Sequence, residues 1–294
     1  MRKIFSAFIT ILLFAVSGCS CTRLPEDIYD LPYTVFQENT DAVPERLILK
    51  NERVTLSFTN GRTMLHCNGM PVFMPDKISK DSKSGKWILP ERSVKTVLFT
   101  LMSPPEKLKG KVVLIDPGHG GSDHGAPLPF IKGVSEKGLN LDLALRLGSE
   151  LQKHGFTVLY TRTSDRKIRL DKRGNAYKAD IFISVHHNSA ANPDAAGFEV
   201  FCLTPQAPER FTQLRKSVQL ASSLQQAQQE VTTSRGRGIR FANFQVLRDA
   251  RCPAVLIEAG FLSNREEALR CADLNYRKRL AAVLARAIRE NVLP

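Results

Sequence analysis

The stretch VVLIDPGHGG, residues 112 to 121, decides the fold. Four apolar or β-branched residues followed by Asp116, Pro117 and a glycine cluster read as a buried strand that stops abruptly in a loop. That loop presents His119. In an open α/β sheet the crevice at the carboxyl ends of the strands is where ligands bind. Two later runs share the design: ADIFISVHHN, residues 179 to 188, ends in two histidines, and PAVLIEAGF, residues 253 to 261, carries Glu258. If these strands are parallel neighbours, polar groups from three distant parts of the chain meet at one edge.

Working outward, strands and helices alternate from Lys111 to the end, the pattern of an α/β domain with a twisted, mostly parallel sheet flanked by helices. Leu139, Leu143, Leu147 and Leu151 recur every fourth residue, which predicts an amphipathic helix over 136–153 that Gly155 ends. FTVLYTR (156–162), IFISV (181–185), GFEVFCL (197–203), FQVLR and AVLIE are expected as strands. A polar helix is expected near 210–230, and Leu280, Val283, Leu284, Ala287 and Ile288 mark the inner face of a closing C-terminal helix. Upstream, RLILKNERVTLSF, TMLHCNGMPVFMP and WILPERSVKTVLF are short apolar runs separated by Asn-Gly and Ser-Gly turn signals, so a small all-β module is expected over 46–102. His66 and Cys67 lie in one of its strands, where adjacent side chains diverge, so they are read as structural. SPPEKLKG, residues 103–110, reads as a hinge, placing the main domain at 108–294.

The 294-residue chain opens with MRK and an apolar run over residues 4–16. A membrane-spanning helix needs roughly 20 apolar residues, so this segment reads as an export signal, residues 1–18. VSGC, residues 16–19, resembles the lipobox of bacterial lipoproteins, which implies a lipid on Cys19, and Ser20 in place of aspartate favours the outer membrane if the cell is Gram-negative. Residues 19–45, with three prolines beyond the lipobox, suit a tether. The expected location is therefore the cell envelope, periplasmic and lipid-anchored. The net charge of +13 stays strongly positive without Arg2 and Lys3 and attracts polyanions. Export excludes nucleic acid as the natural partner and leaves wall polymers and lipid headgroups. Apart from Cys19, the cysteines are odd in number and lack CxxC spacing, which fits neither a disulfide framework nor a zinc cage.

A divalent metal in a hydrolase typically has three protein ligands and keeps a position for water. His119, Glu136 and His186 are the candidates, and two nitrogens with a carboxylate oxygen suit Zn²⁺ better than Mg²⁺ or Ca²⁺. Singly, each is ordinary: a histidine in a glycine loop, a glutamate at the positive end of a helix dipole. GHGGSD lacks the third glycine of GxGxxG and has no GK[ST], which argues against nucleotide binding, and no GxSxG elbow supplies a nucleophilic serine.

Together the motifs are specific. VVLIDPGHGGSDHGA, Glu136 with its helix, TRTSDRKIRLDKRGNAYKADIFISVHHN, RGIRFANFQVLRDARCPAVLIEAGFLSN and the terminal helix resemble the zinc-dependent N-acetylmuramoyl-L-alanine amidases of the Amidase_3 type, in order and at ordinary spacing. The resemblance puts the metal ligands on His119, Glu136 and His186 and the catalytic glutamate on Glu258. It implies hydrolysis of the amide between N-acetylmuramic acid and the L-alanine of the peptidoglycan stem peptide. His187, Asn188, Arg240 and Arg248 are expected to face substrate, with His187 alternatively supporting the metal site from behind. The basic run SRGRGIR is expected to hold acidic stem-peptide groups, and Asp116 and Asn188 to orient metal ligands. The interval from His186 to RGIR is too short for the occluding helix found in some members, so an open site with no obligatory activator is expected. Two other readings remain: a catalytically inactive wall-binding lipoprotein, and another zinc hydrolase, a peptidase or deacetylase, acting on the same polymer.

Overall fold

The computed structural model describes residues 34–40, 43–85, 87–205, 208–232 and 236–292. The signal segment and Cys19 lie outside these residues. The chain divides into two compact units, one ending at Pro104 and the other starting at Pro105.

In the first unit, strands β1 (Thr34–Thr40), β2 (Val43–Lys50), β3 (Thr55–Thr59), β4 (Met64–Cys67) and β5 (Met70–Phe73) pair antiparallel in sequence order. Alternation buries Leu47, Leu49, Leu56, Phe58, Leu65, Cys67 and Val72 on one face. Asn68 and Gly69, both at positive φ (50° and 83°), make the tight β4–β5 turn that Asn-Gly announces. A second ribbon pairs β6 (Ser79–Lys80) with β7 (Trp87–Ile88). Two expectations are corrected. Strands already occupy 34–40 and 43–50, so the stretch expected as a tether to residue 45 is partly sheet. The run expected as a final strand is instead helical, α1, which runs as Glu91–Ser93, Val94–Leu98 with π-type bonding, and Phe99–Met102. Its buried residues Val94, Val97, Leu98, Leu101 and Met102 recur at three and four, a helical period that β-branched composition masks.

The second unit holds β8 (Val112–Pro117), α2 (Glu136–Lys153), β9 (Thr157–Tyr160), β10 (Ile181–Asn188), β11 (Glu199–Leu203), α3 (Phe211–Gln228), β12 (Gly238–Ala242), α4 (Gln245–Asp249), β13 (Ala254–Phe261), α5 (Arg265–Ala272) and α6 (Leu274–Asn291). Strands β13, β10, β8 and β9 are parallel neighbours in that order. β11 joins antiparallel to β13 and carries β12 parallel on its other side. The sheet is thus mostly parallel, with both faces covered, and its central strands read as nearly unbroken apolar runs for that reason. Helices α2, α6 and α3 cover one face. The other face is closed by α4 and neighbouring loops around Leu114, Phe182, Leu247, Ala250 and Leu256.

FQVLR, expected as a strand, forms the short helix α4, which buries Val246 and Leu247 and places the carbonyl of Val246 against Gly174. RGIRFA supplies the strand β12 in its place. A run this short carries no resolvable period, so packing decided between the two.

Candidate metal centre

The parallel register sets the site. β8 ends where Gly118 donates its N–H to Val185 of β10, and His186 stands directly across from Glu258 of β13. Leaving β8, the chain takes a left-handed turn at His119, φ 60°, an unusual conformation for a residue with a side chain. That turn aims the imidazole back over the sheet edge. From the other side Glu136, the first residue of α2, is buried at 2 % exposure.

Three side chains converge. His119 Nε2 and His186 Nδ1 each lie 3.1 Å from the same oxygen, Glu136 Oε1, and one ligand atom from each residue falls within 4.8 Å of the others. The two rings stand edge to face, 4.8 Å between centroids. Burial works against an ionised Glu136, yet the two imidazoles outweigh it and hold its carboxyl well below the usual range. For His119, burial opposes the charged ring, and Glu136 and then Asp123 overcome that and raise its pKa.

Supporting contacts fix these three side chains. Asp123 Oδ1 sits 2.9 Å from His119 Nδ1, which points Nε2 at the cluster. Glu136 Oε2 accepts from the Ala126 N–H at 2.6 Å, and Asn140 donates to Glu136 Oε1 at 3.0 Å. Two imidazole nitrogens and a buried carboxylate oxygen turned to one point form a donor set that fits zinc and leaves room for water in a fourth position. Among the described residues this is the one group of its kind.

Glu258 stands across from His186 in the adjoining strand. Its Oε2 is buried with no hydrogen-bond partner among the described residues. Burial above all, then the charges of Glu136 and Glu199, push its carboxyl well above the ordinary range. Such a group can hold a proton that an ordinary carboxylate would have lost.

The family Amidase_3, N-acetylmuramoyl-L-alanine amidase, matches residues 113–290. The chain belongs to this amidase family. The probable cell wall amidase LytH of Staphylococcus saprophyticus is 35 % identical over 187 residues, covering 64 % of this chain and 60 % of that protein. The chain spans 60 % of that protein and 50 % of its Staphylococcus epidermidis counterpart, less than two thirds of either. The crystal structure of an N-acetylmuramoyl-L-alanine amidase from Clostridium difficile 630 superposes with a TM-score of 0.55 at 34 % identity, covering 61 % of this chain and 95 % of that one. The CwlD amidase of Clostridioides difficile, solved in complex with the GerS lipoprotein, gives 0.56 at 25 % identity, covering 62 % and 98 %.

Within this amidase fold, the remaining expected site residues fall in three places. His187 points to the helical face. It is 3 % exposed, its Nδ1 lies 2.7 Å from Asn140 Oδ1, and burial drives its pKa down to about 4. The expectation of substrate contact is therefore corrected for His187, because strand alternation turns it away from His186 and under α2. Asn188 and Arg240 both reach Glu199: Asn188 donates to Oε2 and Arg240 Nε meets Oε1, each at 2.7 Å, with Arg237 on that same oxygen at 2.7 Å. Glu199 stands cross-strand from Glu258. Arg248 is corrected. Its guanidinium donates to Asn243, beyond the end of β12 that is level, across β11, with the start of β13, and it lines a separate cleft of about 480 Å³ with Arg210 and Arg251. That end of the sheet is opposite to Glu258. Asp116 touches neither histidine and is instead held by Thr161, Arg173 and Ser184. Asn188 likewise orients Glu199 rather than a metal ligand. Sequence reading missed Asp123, Asn140 and Glu199. A glutamate inside the apolar run GFEVFCL was the available signal for the last.

Proposed function

We propose that this protein is a zinc-dependent N-acetylmuramoyl-L-alanine amidase of the cell envelope, hydrolysing the amide between the lactyl group of N-acetylmuramic acid and the L-alanine of the stem peptide. One observation carries the reading: His119, Glu136 and His186 converge on one point, and Glu258, with a carboxyl oxygen that has no hydrogen-bond partner among the described residues, lies in the adjoining strand.

His119, Glu136 and His186 would hold the metal. When bound, zinc supplies a Lewis acid that acidifies water from a pKa near 16 to about 7 and polarises the scissile carbonyl. Glu258 takes the proton of the attacking water and passes it to the leaving nitrogen, since an amide nitrogen does not depart as an anion. The raised carboxyl pKa of Glu258 suits its keeping that proton until the nitrogen takes it. Asp123 holds the ring of His119, and Asn140 holds Glu136. Arg240, a quarter exposed and paired with Glu199, the cross-strand neighbour of Glu258, is assigned to a stem-peptide carboxylate, with Glu199 and Asn188 holding it in place.

The substrate places the protein outside the cytoplasm, which the export signal and lipid on Cys19 accomplish in this reading, with the outer membrane as the favoured anchor. The site is read as working without an activator. Helix α3, which lies between β11 and β12, packs with α6 on the face opposite His186, and the side chains of His119 and His186 keep 25 % and 19 % of their surface.

Glu258→Gln tests the chemistry. It should reduce hydrolysis by about 100-fold to 10,000-fold while zinc content and binding to glycan strands persist. An undiminished rate would overturn the assignment of Glu258, and a wild type without hydrolysis would instead favour the wall-binding reading.

A further inference from the structure

The mechanism leaves two buried arginines unused. Arg162 is 1 % exposed and Arg173 3 %, and both face the loop that carries His119. Arg162 Nε donates to the Pro117 carbonyl at 3.0 Å, and its terminal nitrogen donates to Gly118 at 2.7 Å and to Lys137 at 2.8 Å. Arg173 donates to Pro117 at 2.9 Å and to His119 at 2.8 Å. Three consecutive carbonyls, 117 to 119, are thus all held by guanidinium groups. Those carbonyls belong to the turn where the backbone takes the left-handed conformation at His119. Such a conformation is strained at a residue with a side chain and persists only where its surroundings over-determine it.

The contact with Lys137 adds a second function. Lys137 follows Glu136 in the first turn of α2, so one nitrogen of Arg162 ties the His119 loop to the segment that presents the carboxylate ligand. Arg173 is itself fixed by Asp116, 2.8 Å away and fully buried, which Thr161 and Ser184 hold in turn at 2.6 and 2.8 Å. A path of hydrogen bonds therefore runs from the sheet interior, through Asp116 and Arg173, to the backbone of His119.

We propose that Arg162 and Arg173 are positioning residues of the metal centre, setting the separation of His119 from Glu136 and thereby the affinity and geometry with which zinc is held. The proposal rests on the zinc reading above. A lysine could keep the charge, but it lacks the planar fork that reaches two or three carbonyls at once.

The test is zinc binding by metal-free wild type, Arg162→Lys and Arg173→Lys, measured by competition with a chromophoric chelator. Visible spectra of the cobalt-loaded proteins and kcat and KM on a soluble muropeptide complete the comparison. Both variants should fold, bind zinc about 10-fold to 100-fold more weakly, shift the cobalt spectrum, and lose kcat with KM little changed. A folded variant with wild-type affinity and an unchanged spectrum would overturn the proposal. If Arg162→Lys does not fold, Arg173→Lys decides, because it leaves the bond to Lys137 in place. Failure of both to fold would make the arginines general supports of the domain and would equally overturn it. A wild-type protein that binds no zinc would instead remove the metal reading itself.

Discussion

A Cβ at position 118 would lie 2.2 Å from Cε1 of His186, far inside van der Waals contact. Glycine is required there because backbone and ligand ring share the space. Gly125 has the same duty toward Glu136, with a hypothetical Cβ 2.3 Å from Oε2 and a φ of 74°. Gly118→Ala should therefore displace the His186 ring by an ångström or so and lower kcat/KM by about 100-fold, the usual consequence of such a misplacement. Zinc content and rate measured on the same preparation check this, and a fully loaded, fully active variant would refute it. At this scale much of the site was legible. Glu136 opens a helix, His119 follows the end of a strand, and His186 and Glu258 lie in the second halves of strands, all in elements whose pattern is visible in the chain. What was not legible is how polar side chains pair over long sequence separations. Nothing in the spacing says that Asn140 serves both Glu136 and His187, that Asp123 turns His119, or that Glu199 gathers Asn188, Arg237 and Arg240. Those partnerships follow from strand register and loop path, which short motifs do not encode.

Among elements, α2 and α6 pack side by side, and their polar seam is as specific as their apolar one. Asp142 of α2 accepts from Arg146 on its own helix and from Arg277 of α6, while Arg277 also donates to the Cys271 carbonyl at the end of α5. Burial works to raise the Asp142 pKa, but hydrogen bonds from Arg146 and Arg277 and their charges outweigh it and the net shift is downward. A carboxyl whose folded pKa is depressed contributes stability that is present above its unfolded value, near 3.9, and lost as pH falls through the folded value. Asp142→Asn should thus lower the melting temperature by about 2–4 °C near neutrality, for a partly exposed pair worth about 1 kcal/mol. The difference should shrink as pH falls below the unfolded value and vanish below the folded one. Equal melting curves at pH 7 would show that the seam is apolar in effect. The helix α2 itself was readable from its leucines, as was α6 from its buried stripe, because both are long enough to show a period. The short runs VKTVLF and FQVLR were not. Over so few residues β-branched composition favours a strand, while tertiary packing selects the helix.

At the scale of the whole molecule, the excess of 42 basic over 29 acidic residues favours a polyanionic surface as the working environment. Binding to isolated cell walls should weaken steeply as salt rises from about 0.05 to 0.5 M, where the screening length falls to a few ångströms. Turnover of a small soluble muropeptide should change far less. Salt-independent sedimentation with walls would argue that the charge has no part in recruitment. The alternation of strand and helix in residues 108–294 made the sheet and its flanking helices predictable, since an apolar strand ending in a polar loop repeats across distant segments. The antiparallel junction of β11 with β13 was not predictable, because hydrophobic runs do not record strand direction.

The most direct test of the account is mass spectrometry of peptidoglycan digested by the purified protein alone, before and after treatment with a chelator, and after zinc is restored. The account predicts stem peptides with a free N-terminal L-alanine, none after chelation, and full recovery with zinc. Cleavage at another bond, or the same products in the presence of the chelator, would contradict it.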